Sequence, residues 1–192
     1  MGDKASHQPL KVPRAYNASY HFVDRHIDVG HGERVAFVDE SGSHTYAVFF
    51  ERVGQVAAAL CDLGIVAEQR VMMCMLDTID FAAVFWGAIR IGAIPVPVNT
   101  LLKGQDYDYM LRDSRAPLLI VSSELYSEVA GVVDEQPFLK HVLVSGQHPR
   151  GGLDLDSLIA TAPSSPSEAD TTCEDAVSYT HLRAHETLRK LE

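Results

Sequence analysis

Positive charge is in short supply in this 192-residue sequence: 16 Lys and Arg stand against 26 Asp and Glu, for a formal net charge of −10 and a pI near 5.3. A surface that tracks nucleic-acid phosphates needs clustered Lys and Arg, so DNA and RNA are set aside as partners. Long apolar runs are missing too. The longest, residues 81–91, is interrupted by Arg90 and falls well short of the roughly 20 residues that cross a bilayer, so no membrane span is expected. The opening stretch MGDKASHQPLKVPRAYN carries Lys4, Lys11 and Arg14 without the apolar centre of a secretion signal. Cysteine is sparse and odd in number. Cys61, Cys74 and Cys173 are widely spaced, and the first two sit in apolar runs where a reduced thiol acts as a small hydrophobe, which points to a reducing cytoplasm. Neither internal repeats nor heptads occur.

What the chain does have is the balance of a globular domain, 46% apolar and 22% charged residues, at a length that buries a core as one domain. Residues 18–26 set Tyr20, Phe22, Val23 and Ile27 against Asp24, Arg25 and Asp28 and are closed by Gly30, which predicts a short helix. Residues 35–38 and 43–46 flank the polar turn Asp39-Glu40-Ser41-Gly42 and predict a β-hairpin. Over 46–63, Phe49, Phe50, Val53, Val56, Ala57, Leu60 and Cys61 recur at helical spacing, with Thr45 to cap the start and Gly64 the end.

Strand and helix then alternate. A near-continuous apolar run at 70–76 precedes a helix over 79–91, opened by Asp77-Thr78 and stopped by Gly92. An extended run at 94–99, a helix over 106–113, a strand at 117–122, a helix over 124–133 and a strand at 141–144 follow. Pro95 and Pro97 cannot donate to a ladder, which puts their run at a sheet edge or a strand start. The predicted fold class is α/β, a helix and a hairpin followed by βαβ units around a parallel sheet. After Gly146 a loop at 147–152, a short helix over 153–160 and a Pro/Ser linker at 163–167 end the compact pattern.

In an open α/β sheet ligands bind beyond the carboxyl ends of the strands, which singles out Asp77-Thr78, Asn99-Thr100 and Ser122-Ser123. Asp77 and Ser122 read as helix caps or turns. Asn99 and Thr100 end the proline-bearing strand away from an obvious cap and are the candidate substrate- or cofactor-binding residues. His181 and His185 have the i, i+4 spacing of a metal pair, but a third ligand is missing and Glu186 follows the second His instead of lying between them. His7, His21, His26, His31 and His44 fall in exposed or turn contexts. The sequence contains no G-x-G-x-x-G, no G-K-S or G-K-T and no G-x-S-x-G, so no catalytic and no metal-ligating residue is assigned. The residues alone leave both an enzyme domain and a non-catalytic α/β binding or interaction module open.

Several segments together resemble the N-terminal part of an adenylate-forming (AMP-binding) acyl-CoA ligase, most closely the benzoate-CoA ligase branch. They are Tyr16-Asn17-Ala18 leading to Val23-Asp24-Arg25-His26, the hairpin VAFVDESGSHTY, the helix end AAALCDLG, the run RVMMCMLDTIDFAAVFWGAIRIGAIPVPVNTLL, and DYDYMLRDSRAPLLIVS. The NTLL ending resembles the aryl-CoA ligase branch, where many other branches have Asn-Pro. The resemblance spans about residues 16–145. It implies a two-step reaction in which an aromatic carboxylate, benzoate or a hydroxybenzoate, attacks the α-phosphorus of Mg2+-bound ATP, and coenzyme A then displaces AMP from the acyl adenylate.

The same family holds phosphates on a Ser/Thr/Gly-rich loop introduced by a pair of acidic residues and an apolar strand, and Glu174-Asp175-Ala176-Val177 resembles that introduction. The following SYTHLRAHETLRKLE resembles a peptide translated from sequencing-adapter bases, although Leu182, Ala184, Leu188 and Leu191 could line one helix face. The expected organisation is a flexible segment over 1–15, a truncated ligase domain over 16–177 with loop and linker at about 146–170, and a non-native tail over 178–192. Arg90 and Lys103 are the basic residues that could reach CoA phosphates, with solvation as their simpler role. A sheet short of neighbouring strands is expected to associate, as a homo-oligomer or as an aggregate.

Overall fold

The structure is a computed structural model that describes residues 12–146, 152–162 and 168–178. The chain opens with a π-helical turn at Tyr20–Asp24 that runs into α1 (Arg25–Asp28). Of the apolar residues assigned to that helix, Val23 is buried, while Phe22 and Tyr20 stay exposed. The hairpin follows as β1 (Val35–Asp39) and β2 (Gly42–Thr45), antiparallel to each other. Next come α2 (Tyr46–Asp62), β3 (Arg70–Cys74), α3 (Ile79–Arg90), β4 (Ile94–Pro97), α4 (Gly104–Ser114), β5 (Leu118–Ser122), α5 (Tyr126–Val129), β6 (His141–Ser145), β7 (Leu153–Asp154) and α6 (Leu155–Thr161).

The helix boundaries follow from local chemistry. Thr45 Oγ1 accepts from Val48 N and caps α2. Its far end closes on Gly64 at φ +76°, with Gly64 N bonded to Cys61 O and Ile65 N to Leu60 O. α3 ends the same way at Gly92, φ +74°, where Ala93 N reaches Ala88 O. Both are Schellman closures, which need a residue that tolerates positive φ.

Five strands form a parallel sheet in the order β4-β3-β5-β6-β7. Alternate side chains serve opposite faces. Val71, Met73, Leu118, Ile120 and Leu143 pack with α2, α3 and α6, whereas Met72, Cys74, Leu119, Val121 and Val144 pack with α4 and α5. Helices on both faces explain why these strands read as unbroken apolar runs.

Two expected helices differ. Residues 124–133 are not one helix: a 3-10 turn (Ser123–Leu125), the single turn of α5 and another 3-10 turn (Val133–Glu135) replace it. Gly131 and the β-branched Val129, Val132 and Val133 lower helix propensity there. The expected helix at 153–160 yields its first two residues to β7, which pairs with β6, and Asp154 then caps α6 by accepting from Asp156 N and Ser157 N. Cys61 is exposed on α2, contrary to its expected inward place, while Cys74 is buried and all three cysteines are free thiols. The linker at 163–167 and the His181/His185 pair lie outside the described residues.

The proline-bearing strand β4 is an edge, as expected. Ile94 N donates to Gln69 O and Val98 N to Met73 O, so the alternation turns positions 95 and 97 away from β3, toward the open side. Proline at both positions removes the outward donors without costing a ladder bond. Replacing Pro95 and Pro97 together by valine restores those donors and is expected to increase self-association in sedimentation velocity at equal concentration; an unchanged distribution would count against this reading of the edge.

Candidate functional site

The strand order places β3 between β4 and β5, and the chain leaves β3 through α3 on one face but leaves β5 through α5 on the other. Adjacent strands with exits to opposite faces open a crevice beyond their carboxyl ends, here bounded by the loop at 75–78 and by Ser122-Ser123. Buried Ser122 spans it, its Oγ accepting from Leu76 N at 2.9 Å. Asp77 is exposed, and Thr78, the residue preceding α3, makes no side-chain cap bond.

The cap comes from the hairpin instead. Asp39 Oδ2 accepts from Ile79 N at 2.9 Å, across 40 positions. Its other oxygen accepts from Ser41 N at 2.9 Å and from Ser41 Oγ at 2.6 Å and lies 3.0 Å from His44 Nε2. These donors, Ser41 first, then the Ile79 amide and His44, hold the Asp39 carboxyl well below the usual carboxylate range. A depressed folded-state value gives stability that is present above the ordinary carboxylate pKa and is lost as pH falls through the folded one, so strong acid weakens this cap. The trio has the residue types of a nucleophilic triad without its geometry. Ser41 and Asp39 meet the same ring nitrogen, so no second nitrogen orients the imidazole.

A second cluster joins α2, α3, β6 and α6. Asp80, in the first turn of α3, accepts from Arg52 Nε at 2.5 Å and from Ser145 Oγ at 2.6 Å, and Arg52 reaches on to Asp156 at 2.8 Å. Ser145 ends β6, so this network fixes the strand's carboxyl end to the start of α3. Gly146 follows at φ +99°, and a Cβ there would stand 2.8 Å from Ser123 Oγ, which shows how closely the loops after β5 and β6 approach.

Asn99 and Thr100 lie at the outer edge of this end. Asn99 is exposed and folds into a turn through Oδ1, which accepts from Leu101 N at 2.9 Å. Its carbonyl accepts from the hydroxyl of Tyr107, a fully buried residue of α4, at 3.0 Å. Cys74 bonds to the same hydroxyl, and burial pushes both the Tyr107 phenol and the Cys74 thiol upward, so neither ionises readily. The structure brings Ser122 to the loop after β3 and Tyr107 to Asn99, and Asn99 and Thr100 follow the edge strand β4 beside β3.

Arg90 is not solvated. It is buried and paired with Asp24 at 2.7 Å, with Phe50 beneath it. Lys103 is exposed, 3.9 Å from Glu128. Among the described residues no three His, Cys, Asp or Glu side chains gather as a metal site, and no helix is long and apolar enough to cross a membrane. A cavity of about 650 Å³ opens at the opposite end of the sheet, lined by Arg70 and Ile94 at the starts of β3 and β4 together with Tyr16, Gly92 and residues 169–173.

Residues 24–180 match the family described as AMP-binding enzyme. The chain is 37% identical over 166 residues to a 4-hydroxybenzoate–CoA/benzoate–CoA ligase of Rhodopseudomonas palustris, covering 86% of this chain and 31% of that protein. It is 38% identical over 167 residues to a benzoate–CoA ligase of Thauera aromatica, with the same coverage. Among solved structures, an anthranilate CoA ligase in complex with anthranoyl-AMP superimposes with a TM-score of 0.83 at 32% identity, covering 87% of this chain and 32% of that one. A benzoate CoA ligase from Burkholderia xenovorans LB400 gives 0.77 at 32% identity, covering 85% of this chain and 32% of that one. The chain thus spans about a third of the length of the relatives it matches.

Proposed function

The chain belongs to the AMP-binding enzyme family, and from that premise we propose that it is the N-terminal portion of an aryl-CoA ligase and is inactive by itself. The parent reaction is benzoate or a hydroxybenzoate plus ATP and coenzyme A to the aryl-CoA thioester, AMP and pyrophosphate, through an acyl adenylate. The observation that carries this reading is the identity to two benzoate-CoA ligases across 86% of the chain. Adenylation converts a carboxylate oxygen, a poor leaving group, into AMP, a good one. Charge on the phosphates is offset by cations and backbone donors. The described residues present no carboxylate or imidazole set to hold Mg2+, so the ion is assigned to the ATP substrate and no step of this chain runs through it. ATP and coenzyme A are cytoplasmic metabolites, which assigns the parent enzyme to that compartment.

The contribution of this portion is scaffold. The sheet, the Asp80–Arg52–Ser145 network and the Asp39 cap hold the loops at the carboxyl edge, and Asn99 and Thr100 form the rim we assign to ligand contact. Domain limits at about 16–177, with residues 178–192 as non-native sequence, belong to the same proposal. Purified 192-residue protein incubated with benzoate, ATP, Mg2+ and coenzyme A is expected to form no benzoyl-CoA in a thioester assay; sustained turnover would refute the inactivity.

A further inference from the structure

The pairing of β4 with β3 runs out where Val98 N meets Met73 O at 3.0 Å. The carbonyl of the next residue, Asn99, is held from another direction, by the hydroxyl of Tyr107 at 3.0 Å. Tyr107 stands one turn into α4 and is fully buried. Its hydroxyl also bonds Cys74, the last residue of β3, and the Leu102 backbone. One oxygen therefore ties the turn after β4 to the strand end that leads into the loop at 75–78, a wall of the crevice.

The turn itself is braced locally. Asn99 Oδ1 accepts from Leu101 N at 2.9 Å, and on the far side Asp106 Oδ2 accepts from Lys103 N at 3.1 Å while Asp106 N donates to Lys103 O at 2.8 Å. Between these bonds the chain turns outward, leaving Asn99 exposed and Leu101 84% exposed. Local bonds fix the shape of the turn; the phenol fixes its place relative to β3. A buried hydroxyl costs free energy unless it is paired, and phenylalanine would fill the same ring volume without that cost. The oxygen is accounted for by what it holds.

We propose that Tyr107 is a positioning residue, whose buried hydroxyl holds the 99–102 turn against β3 so that Asn99 and Thr100 stand ready for ligand at the carboxyl edge. This rests on the reading of those two residues as a ligand-contacting rim. Tyr107 is interior and touches no ligand; it acts through the Asn99 carbonyl. A turn already in place loses little freedom when ligand arrives, so the hydroxyl strengthens binding.

Tyr107→Phe removes one oxygen and keeps the ring in its apolar cluster. In hydrogen–deuterium exchange of the full 192-residue chain, a peptide covering 99–104 is expected to open about five-fold more in this variant, the factor that one hydrogen bond supplies, while a peptide covering 118–122 is unchanged. Unchanged opening at 99–104 overturns the proposal. Benzoate, ATP and coenzyme A are then titrated in turn, with the amide NMR signals of Asn99 and Thr100 as the readout. At least one is expected to shift these signals, with a Kd about five-fold weaker in Tyr107→Phe and unaltered in Leu111→Ala, which hollows the same cluster without touching the hydroxyl. Equal affinity in Tyr107→Phe overturns the positioning role and leaves the rim reading standing. Equal weakening in both variants makes the effect one of core packing and overturns the role too. Signals that none of the three ligands moves in the unsubstituted chain overturn the rim reading, and the positioning role with it.

Discussion

Arg52→Met is expected to lower the stability of the chain by about 3 kcal/mol, and its Tm by about 6–12 °C, because it strands a carboxylate that the fold has taken out of water. Methionine keeps the aliphatic stem of Arg52 against its neighbours, so the loss isolates the charge. Asp80 would keep only the Ser145 hydroxyl, while α6 would lose its tie to α2 through Asp156. Arg52→Lys is expected to recover part of the loss. An ammonium can pair with Asp80, but it lacks the planar fork that reaches two carboxylates at once. Calorimetric melting of the three proteins decides this. A Met variant within about 0.5 kcal/mol of the unsubstituted chain, the range of an ordinary surface change, would show that the network is peripheral.

Much of the fold was legible because its causes are local. The Schellman glycines Gly64 and Gly92, the Thr45 cap and the edge prolines each act within a few residues of where they stand. The α/β class itself was legible from the alternation of buried strands with helices, and the parallel five-strand sheet bears it out. What escaped was non-local. The cap of α3 is supplied by Asp39 from 40 positions upstream, and no pattern around Asp77-Thr78 announces it. Arg90 ends a helix and reads as a solvated terminal cation, yet its partner Asp24 lies 66 positions away and the pair is interior. The break-up of 124–133 was signalled by Gly131, a weak helix former among β-branched valines.

The candidate site was legible only in part. The carboxyl ends of the strands are legible in the sequence, with Asn99 and Thr100 as the ligand-binding candidates and Asp77 and Ser122 as caps or turns. The crevice between β3 and β5 depends on strand order, which the sequence pattern does not encode, and it is bounded by the loops that had been read as caps and turns. Ser122 is spent on the backbone of that crevice, and Asn99 stands on the rim with its carbonyl fixed by Tyr107. Ser122 and the Asn99 carbonyl thus find their partners within the chain, which suits the scaffold role proposed for it.

Replacement is the other large effect and the most direct test. If residues 16–177 are a working part of an aryl-CoA ligase, they should substitute for the matching third of the benzoate–CoA ligase of Thauera aromatica, to which the chain is 38% identical. The chimera is expected to melt cooperatively and to form benzoyl-CoA with stoichiometric AMP, while the recipient lacking its own N-terminal third forms none. The strands are buried, and volume-conserving apolar exchanges in such a core cost little, so the graft should seat. A chimera that melts cooperatively and binds ATP, yet forms neither adenylate nor thioester with benzoate or any hydroxybenzoate, would contradict the account.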